Sequence, residues 1–267
     1  MTEERSPRDR WAVSPRGPLA LVNAQRVDHP QTVWPVPGSW APAVGGLTVT
    51  AAAEDGVLVD GVPVDGSVLV AGDDAVVPST VAFPDGFAGT VAGHTLRVWD
   101  PASEAIARFG RIDRFPRSSA WVAPGRFRPA ADVVGLEARG TVLDAAGDPL
   151  VVAGTIATRV GGVETELLAV RSAPFGGSAR LQLIVQDGTA ALPEDDAESS
   201  YSMGRFLFVA DPGQPSDVEL DWNELVLPPC AFSYQYACPI PPPENRTTVR
   251  ITAGERHPLD RDGAVFH

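Results

Sequence analysis

The sequence predicts an all-β protein, and three observations carry that prediction. Gly and Pro number 26 each in 267 residues and recur at short intervals, which leaves little room for long helices. The segments between them alternate apolar and polar residues with a period of two and are dominated by Val, Thr, Leu and Ile, as half-buried strands require. Asp-Gly, the strongest short-range hairpin signal, falls at 55–56, 60–61, 65–66, 85–86 and 187–188. The expected arrangement is a hairpin-rich N-terminal half packed on a C-terminal antiparallel barrel or sandwich.

Taken in order, residues 1–39 read as an extended or helical N-terminal segment. It runs into PQTVWPVPGSWAP (30–42), a Pro-rich linker or edge segment. Residues 40–100 read as a small hairpin-rich domain built from GLTVTAAAEDGVLVDGVPVDGSVLVAG (46–72), AVVPSTVAF (75–83) and GTVAGHTLRVWD (89–100). Ser103–Phe109 and Asp195–Tyr201 read as helical turns. The stretch 101–130 changes character, interleaving Arg108, Arg111, Arg114, Arg117, Arg126 and Arg128 with Phe115, Trp121 and Phe127. Strands resume near 133 with DPLVVAGTIATRV (148–160), ARLQLIVQD (179–187), GRFLFVAD (204–211) and TTVRITAG (247–254). They make 101–256 a β-barrel-like domain and leave 257–267 as a poorly ordered tail.

Composition excludes several functions. A net charge of −13 argues against nucleic acid and against anionic membranes, both of which need a basic surface. All 21 basic residues are arginine, so neither a Schiff-base lysine nor a P-loop lysine is available. No segment is apolar for long enough to span a bilayer or to act as a signal peptide, and a cytoplasmic location is the expectation. There is no Gly-x-Gly-x-x-Gly after a strand and no Gly-x-Ser-x-Gly elbow, and no cofactor is indicated. His29, His94, His257 and His267 are scattered, and Cys-x7-Cys is not a zinc knuckle, so no metal is expected.

The stretch PPCAFSYQYACPIPPPENR (228–246) holds both cysteines, Cys230 and Cys238, among six prolines. Three readings of the pair stand: buried structural thiols, a disulfide, or a nucleophile at Cys230. Around it lies a polar set of Arg205, Asp221, Asn223, Glu244 and Asn245. On a strand, Asp221 and Asn223 would share a face. Proline donates no N–H, so the loop has carbonyls in excess, and Arg205 and Asn245 are natural donors to them. The alternative is a pocket in which Arg111, Arg205, Asp221, Asn223, Glu244 and Asn245 bind a ligand.

The same residues carry a resemblance. Tyr201, Gly204, Arg205, Phe206 and Leu207, then Asp221 and Asn223, then Pro228, Pro229, Cys230, Ala231 and Phe232 match a family signature in order. Cys238, Pro239, Pro241, Pro242, Glu244 and Asn245 continue it without a gap. On these positions the C-terminal third resembles the DUF1684 family of uncharacterised bacterial proteins. The resemblance implies a soluble, β-rich bacterial protein and brings no activity with it. The functional expectation is a module that binds a small molecule, an anion among the candidates, at a barrel mouth covered by the 220–246 loop. The alternatives are a hydrolase using Cys230 or Asp221, and an interaction protein using the Pro-rich loop.

Overall fold

The computed structural model describes residues 5–136, 142–143, 149–175 and 178–266. Residues 1–4 of the N-terminal segment, Asp148 of the predicted 148–160 strand and His267 lie outside the described residues. Among those described there are 18 strands in four sheets and two short helices, so the all-β expectation holds. The chain forms two compact units. One comprises Met1–Phe109 with Phe232–Tyr236, and the other Gly110–Ala231 with Ala237–His267.

The first unit begins with α1 (Pro7–Ala12), started by a capping box. Ser6 Oγ accepts from the Asp9 N–H, and the Asp9 carboxylate accepts from the Ser6 N–H, each at 3.1 Å. Its strands are β1 (Leu21–Arg26), β2 (Gln31–Val33), β3 (Val36–Ala43), β4 (Gly46–Ala51), β5 (Leu58–Val59), β6 (Val62–Pro63), β7 (Gly66–Ala71), β8 (Val81–Ala82), β9 (Ala88–Ala92) and β10 (Thr95–Trp99), followed by α2 (Glu104–Arg108), which Ser103 caps. They make two sheets, β1-β10-β9-β8-β5-β6 and β2-β3-β4-β7.

The Asp-Gly signal works at 60–61. Asp60 (φ 50°) and Gly61 (φ 79°) are both left-handed, as a two-residue turn between β5 and β6 demands. The Pro-rich 30–42 segment is not a linker. It forms β2 at a sheet edge and β3 inside the sheet, because alternation places Trp40 in the core with Leu47, Val49 and Val70, all 0% exposed. Phe232 belongs to this unit and meets Trp11 edge-on at 5.6 Å between ring centroids.

The second unit contains β11 (Phe109–Arg114, from Gly110 on), β12 (Val122–Pro129), β13 (Val152–Val160), β14 (Val163–Phe175), β15 (Ser178–Val185), β16 (Arg205–Ala210), β17 (Ser216–Asp221) and β18 (Glu255–Asp260). The six-stranded sheet β16-β15-β14-β13-β12-β17 is antiparallel throughout and curls into a half-barrel. Beyond β17 the chain returns to β16, where Phe206 and Val226 exchange both main-chain hydrogen bonds at 2.9 Å. β11 pairs with β18 in a two-stranded sheet.

The inside of the curl is filled. Phe127, Ile156, Leu167, Leu181, Leu183, Leu207 and Leu220 point into it from all six strands, and Trp222, Leu225, Ile251 and Ala253 complete the cluster. The alternate residues Leu168, Val170, Ile184 and Phe206 are buried on the opposite face, against Val133, Leu136 and Cys238. Burial on both faces explains why ELLAV and LQLIV read as nearly continuous apolar runs rather than clean alternation.

One expectation is corrected in this unit: residues 257–266 are not a poorly ordered tail. They continue β18 to Asp260, with His257 buried and the Phe266 N–H bonded to the Pro258 carbonyl at 2.9 Å. The stretch 195–201 begins in turns, as expected, with the Ser199 N–H bonded to the Asp196 carbonyl at 3.0 Å.

Candidate functional site

β15 ends at Val185, and its antiparallel partner β16 begins opposite it at Arg205. The chain between them makes a tight helical turn, Gly188–Ala191, capped by Asp187, whose side chain accepts from the Thr189 N–H at 2.9 Å. The Asp187-Gly188 pair is therefore not a hairpin turn. Gly188 is required for another reason: a Cβ there would sit 2.4 Å from the Thr248 carbonyl oxygen, so only glycine lets the two segments approach.

Arg205 and Asp187 are 0% and 1% exposed and form an ion pair, Nη2 to Oδ2, at 2.6 Å. A guanidinium out of water must find acceptors in its own plane. Nη1 donates to the carbonyls of Ala253 (2.5 Å) and Glu255 (3.0 Å), and Nη2 donates also to that of Ile251 (2.9 Å). Every second carbonyl of 251–255 thus points at one side chain. The Nε–H has no partner among the described residues. Asp187 Oδ1 accepts from the Ile251 N–H (3.1 Å) and the Thr189 hydroxyl (2.7 Å), and Thr189 in turn meets Ser200 at 2.6 Å. The Phe115 ring lies 5.8 Å from the Arg205 guanidinium and 4.9 Å from that of Arg256.

A second polar cluster adjoins the first. Glu255 is fully buried, accepting from Arg114 at 2.7 Å and from the Leu227 N–H at 2.7 Å. Ser199 and His257, both buried, meet at 3.0 Å, Oγ to Nε2. The Ser199 hydroxyl also lies 2.9 Å from the Glu194 carbonyl, and the direction of the Ser199–His257 bond follows the tautomer of the ring. Burial first, and then the Arg256 cation, hold His257 below the ordinary histidine value, which keeps the ring neutral.

The residues marked from the sequence divide among separate tasks. Arg205 anchors 251–255 rather than the Pro-rich loop. Asp221 closes β17 and caps the turn Trp222–Glu224, so Asp221 and Asn223 do not share a strand face. Its carboxylate is held by Asn223 (2.7 Å) and by Arg117 (2.8 Å). Asn223 imitates a peptide unit, accepting from the Ser118 N–H at 3.0 Å and donating to the Ser118 carbonyl at 2.9 Å.

Asn245 does the same for Leu168, accepting at 2.7 Å and donating at 2.9 Å. The β14–β15 ladder runs up to Val170↔Gln182, and two residues further along β14 the Asn245 amide takes over the pairing. It thus donates to a strand and not to the surplus carbonyls of its own loop. Glu244 is half-buried, and its Oε2 is buried with no partner among the described residues. Arg111 is exposed on β11 between buried Phe109 and Ile112. Of the neighbouring arginines, Arg114 pairs with Glu255, Arg117 with Asp221 and Glu224, Arg126 with Asp217, and Arg128 with Glu166.

Asp187, Thr189, Glu255 and His257 were not marked as site residues by the sequence. Only the spacing of TTVRITAGER against GRFLF could have signalled them, and that spacing says nothing of side-chain direction.

Cys230 and Cys238 are both half-buried, and the Cys230 N–H donates to Cys238 Sγ at 3.2 Å. Among the described residues no group of three or more His, Cys, Asp or Glu side chains could hold a metal ion. No described helix is long and apolar enough to cross a membrane.

Next to the buried pair the surface opens into a groove of about 550 Å³. Gln186–Gly188 and Ala190–Leu192 line one side, and Arg246–Thr248 and Arg250 the other. Its walls are tied together by the parallel bridge Gln186↔Arg246. Arg246 donates Nε to the Pro241 carbonyl at 3.0 Å, and Arg250 meets Glu198 at 3.1 Å in an exposed pair.

This is an all-β protein whose half-barrel is packed solid with its own side chains and fastened at one end by a buried arginine–aspartate pair. The chain belongs to the family described as "Protein of unknown function (DUF1684)", whose model matches residues 107–256. The match confirms the resemblance read from the C-terminal third. No curated protein matches the chain. Among solved structures, the solution NMR structure of an uncharacterized protein from Haloarcula marismortui is similar at 24% identity. The similarity covers 55% of this chain and 77% of that one, with a TM-score of 0.43.

Proposed function

We propose that this protein binds a small anionic molecule in the groove between Gln186–Leu192 and Arg246–Arg250. One observation carries the reading. In a chain of net charge −13, this depression is bordered by two arginines and floored by an aspartate whose charge Arg205 already neutralises. Both guanidiniums retain N–H groups that can turn to a carboxylate or phosphate, and the Arg250–Glu198 pair is exposed and weak enough to exchange. The groove sits where β15 ends, and Arg111, Arg205, Asp221, Asn223, Glu244 and Asn245, the ligand residues expected from the sequence, are not among those that line it. The inside of the barrel, filled by Trp222 and Ile251, takes no part.

A hydrolase has less support. The Asp221 carboxylate is engaged by Arg117 and Asn223, and the groups on the Cys230 sulfur are another thiol, a hydroxyl and main-chain N–H groups, none of them a base. The test is a thermal-shift series with phosphate, citrate and nucleotides on the wild type and on Arg246→Ala/Arg250→Ala. The expected result is that an anion raises the wild-type melting temperature and leaves the double variant unmoved. A wild type indifferent to every anion, or a double variant that responds equally, ends the proposal.

A further inference from the structure

We infer that Cys230 and Cys238 form a reversible dithiol site, oxidised to a disulfide by hydroperoxides. Eight positions separate the two cysteines, yet the Cys230 main-chain N–H lies 3.2 Å from the Cys238 sulfur, so the fold has already closed the ring that a disulfide needs. Both ends are stiff. Pro228 and Pro229 lead into the helical turn that carries Cys230, and Pro239 directly follows Cys238, with Pro241–Pro243 beyond. The chain therefore surrenders little further freedom when the sulfurs join.

Both side chains are half-buried rather than sealed, which leaves room for a small oxidant. The Cys230 thiol is held below the ordinary cysteine value, first by its hydrogen bond with Cys238 and then, against burial, by the Tyr201 hydroxyl and by the N–H groups of Cys230 and Ala231. That arrangement makes Cys230 the attacking sulfur and Cys238 the resolving one. The pair has no third ligand that would make it a metal site among the described residues.

The chemistry balances. The Cys230 thiolate attacks the outer oxygen of the hydroperoxide. The O–O bond breaks, Cys230 becomes a sulfenic acid, and the alcohol (water, for hydrogen peroxide) leaves with the proton that Cys230 released. Cys238 sulfur then attacks Cys230 sulfur. The S–O bond breaks, and hydroxide departs with the Cys238 proton as water. Two thiols lose two electrons and two protons, and the peroxide takes them up. A dithiol reductant reverses the change.

The experiment exposes the full chain to one equivalent of hydrogen peroxide, then counts thiols after denaturation, weighs the intact protein and maps peptides. The expected result is joint loss of both thiols, a mass lower by two hydrogens, a peptide linking Cys230 to Cys238, and full recovery with dithiothreitol. Cys238→Ser, checked for folding by circular dichroism, is expected to leave a dimedone-trappable sulfenic acid on Cys230. Cys230→Ser is expected to leave Cys238 reduced at the same dose. A wild type that keeps both thiols, or that gains oxygen without losing the two hydrogens, overturns the inference. So does a Cys230→Ser variant whose Cys238 oxidises as fast as Cys230 does in the other variant.

Discussion

The sheet β2-β3-β4-β7 and the Arg205 end of the half-barrel hold chain segments together by opposite means. In the first, Trp40, Leu47, Val49 and Val70 are fully buried, and sequence neighbours pair through short turns. Of the described buried polar side chains only Asp9, Ser79 and Ser103 lie in that unit. In the second, Arg205, Asp187, Thr189, Glu255 and His257 are buried together, and the bonds they make span up to 141 positions of sequence. The comparison teaches where each kind of order is fragile. An apolar core loses stability in proportion to the contacts removed. A buried charge fails as a pair, because either partner alone is left unpaired in a poor solvent.

The largest effect that would sharpen this contrast is Asp187→Ala, expected to cost about 3–5 kcal/mol in a denaturant titration because it strands the Arg205 guanidinium. Arg205→Met/Asp187→Leu is expected to recover much of that loss. A double variant as unstable as the sum of its parts would break the contrast. Next comes Leu47→Ala in the apolar sheet, at about 2–4 kcal/mol with no rescuing partner.

Asn245→Ala follows at about 1–3 kcal/mol, since it orphans both main-chain groups of Leu168. Hydrogen exchange would show it as lost protection at the Leu168 amide. Gly61→Ala, which meets open space but keeps φ at 79°, is expected to cost about 1–2 kcal/mol.

The smallest effect is a pH dependence confined to the half-barrel end. The folded-state value of His257 is depressed, so the unfolded chain binds the proton more readily. Stability is then lost as pH falls through and below 6.5, the ordinary histidine value. His257→Gln is expected to flatten that part of the profile between about pH 7 and about pH 5. An unchanged slope would mean that the titrating group lies elsewhere.

The same contrast explains what could be read in advance. Hairpins such as 58–63 declare themselves because Asp60-Gly61 and the flanking valines sit side by side in the sequence. Arg205 stood out as a site residue, but its acceptors are the carbonyls of Ile251, Ala253 and Glu255, and a carbonyl carries no mark of residue type. Asp187 was hidden because Asp-Gly is a turn signal whether the aspartate faces water or a buried cation. Trp222 and Ile251 filled the barrel because a local apolar pattern records that a side chain is buried, not which cavity it fills. Asp221 and Asn223 were placed on a strand two residues too long, since the end of β17 is set by Asp221 turning back to cap its own chain.

The fork that Arg205 extends to Asp187 and to three alternate carbonyls has a consequence for descent. No other side chain offers donors in that planar array, so a single substitution at either position leads through a poorly folded ancestor. Across diverging sequences, positions 187 and 205 would be inherited as one character, changing together or not at all.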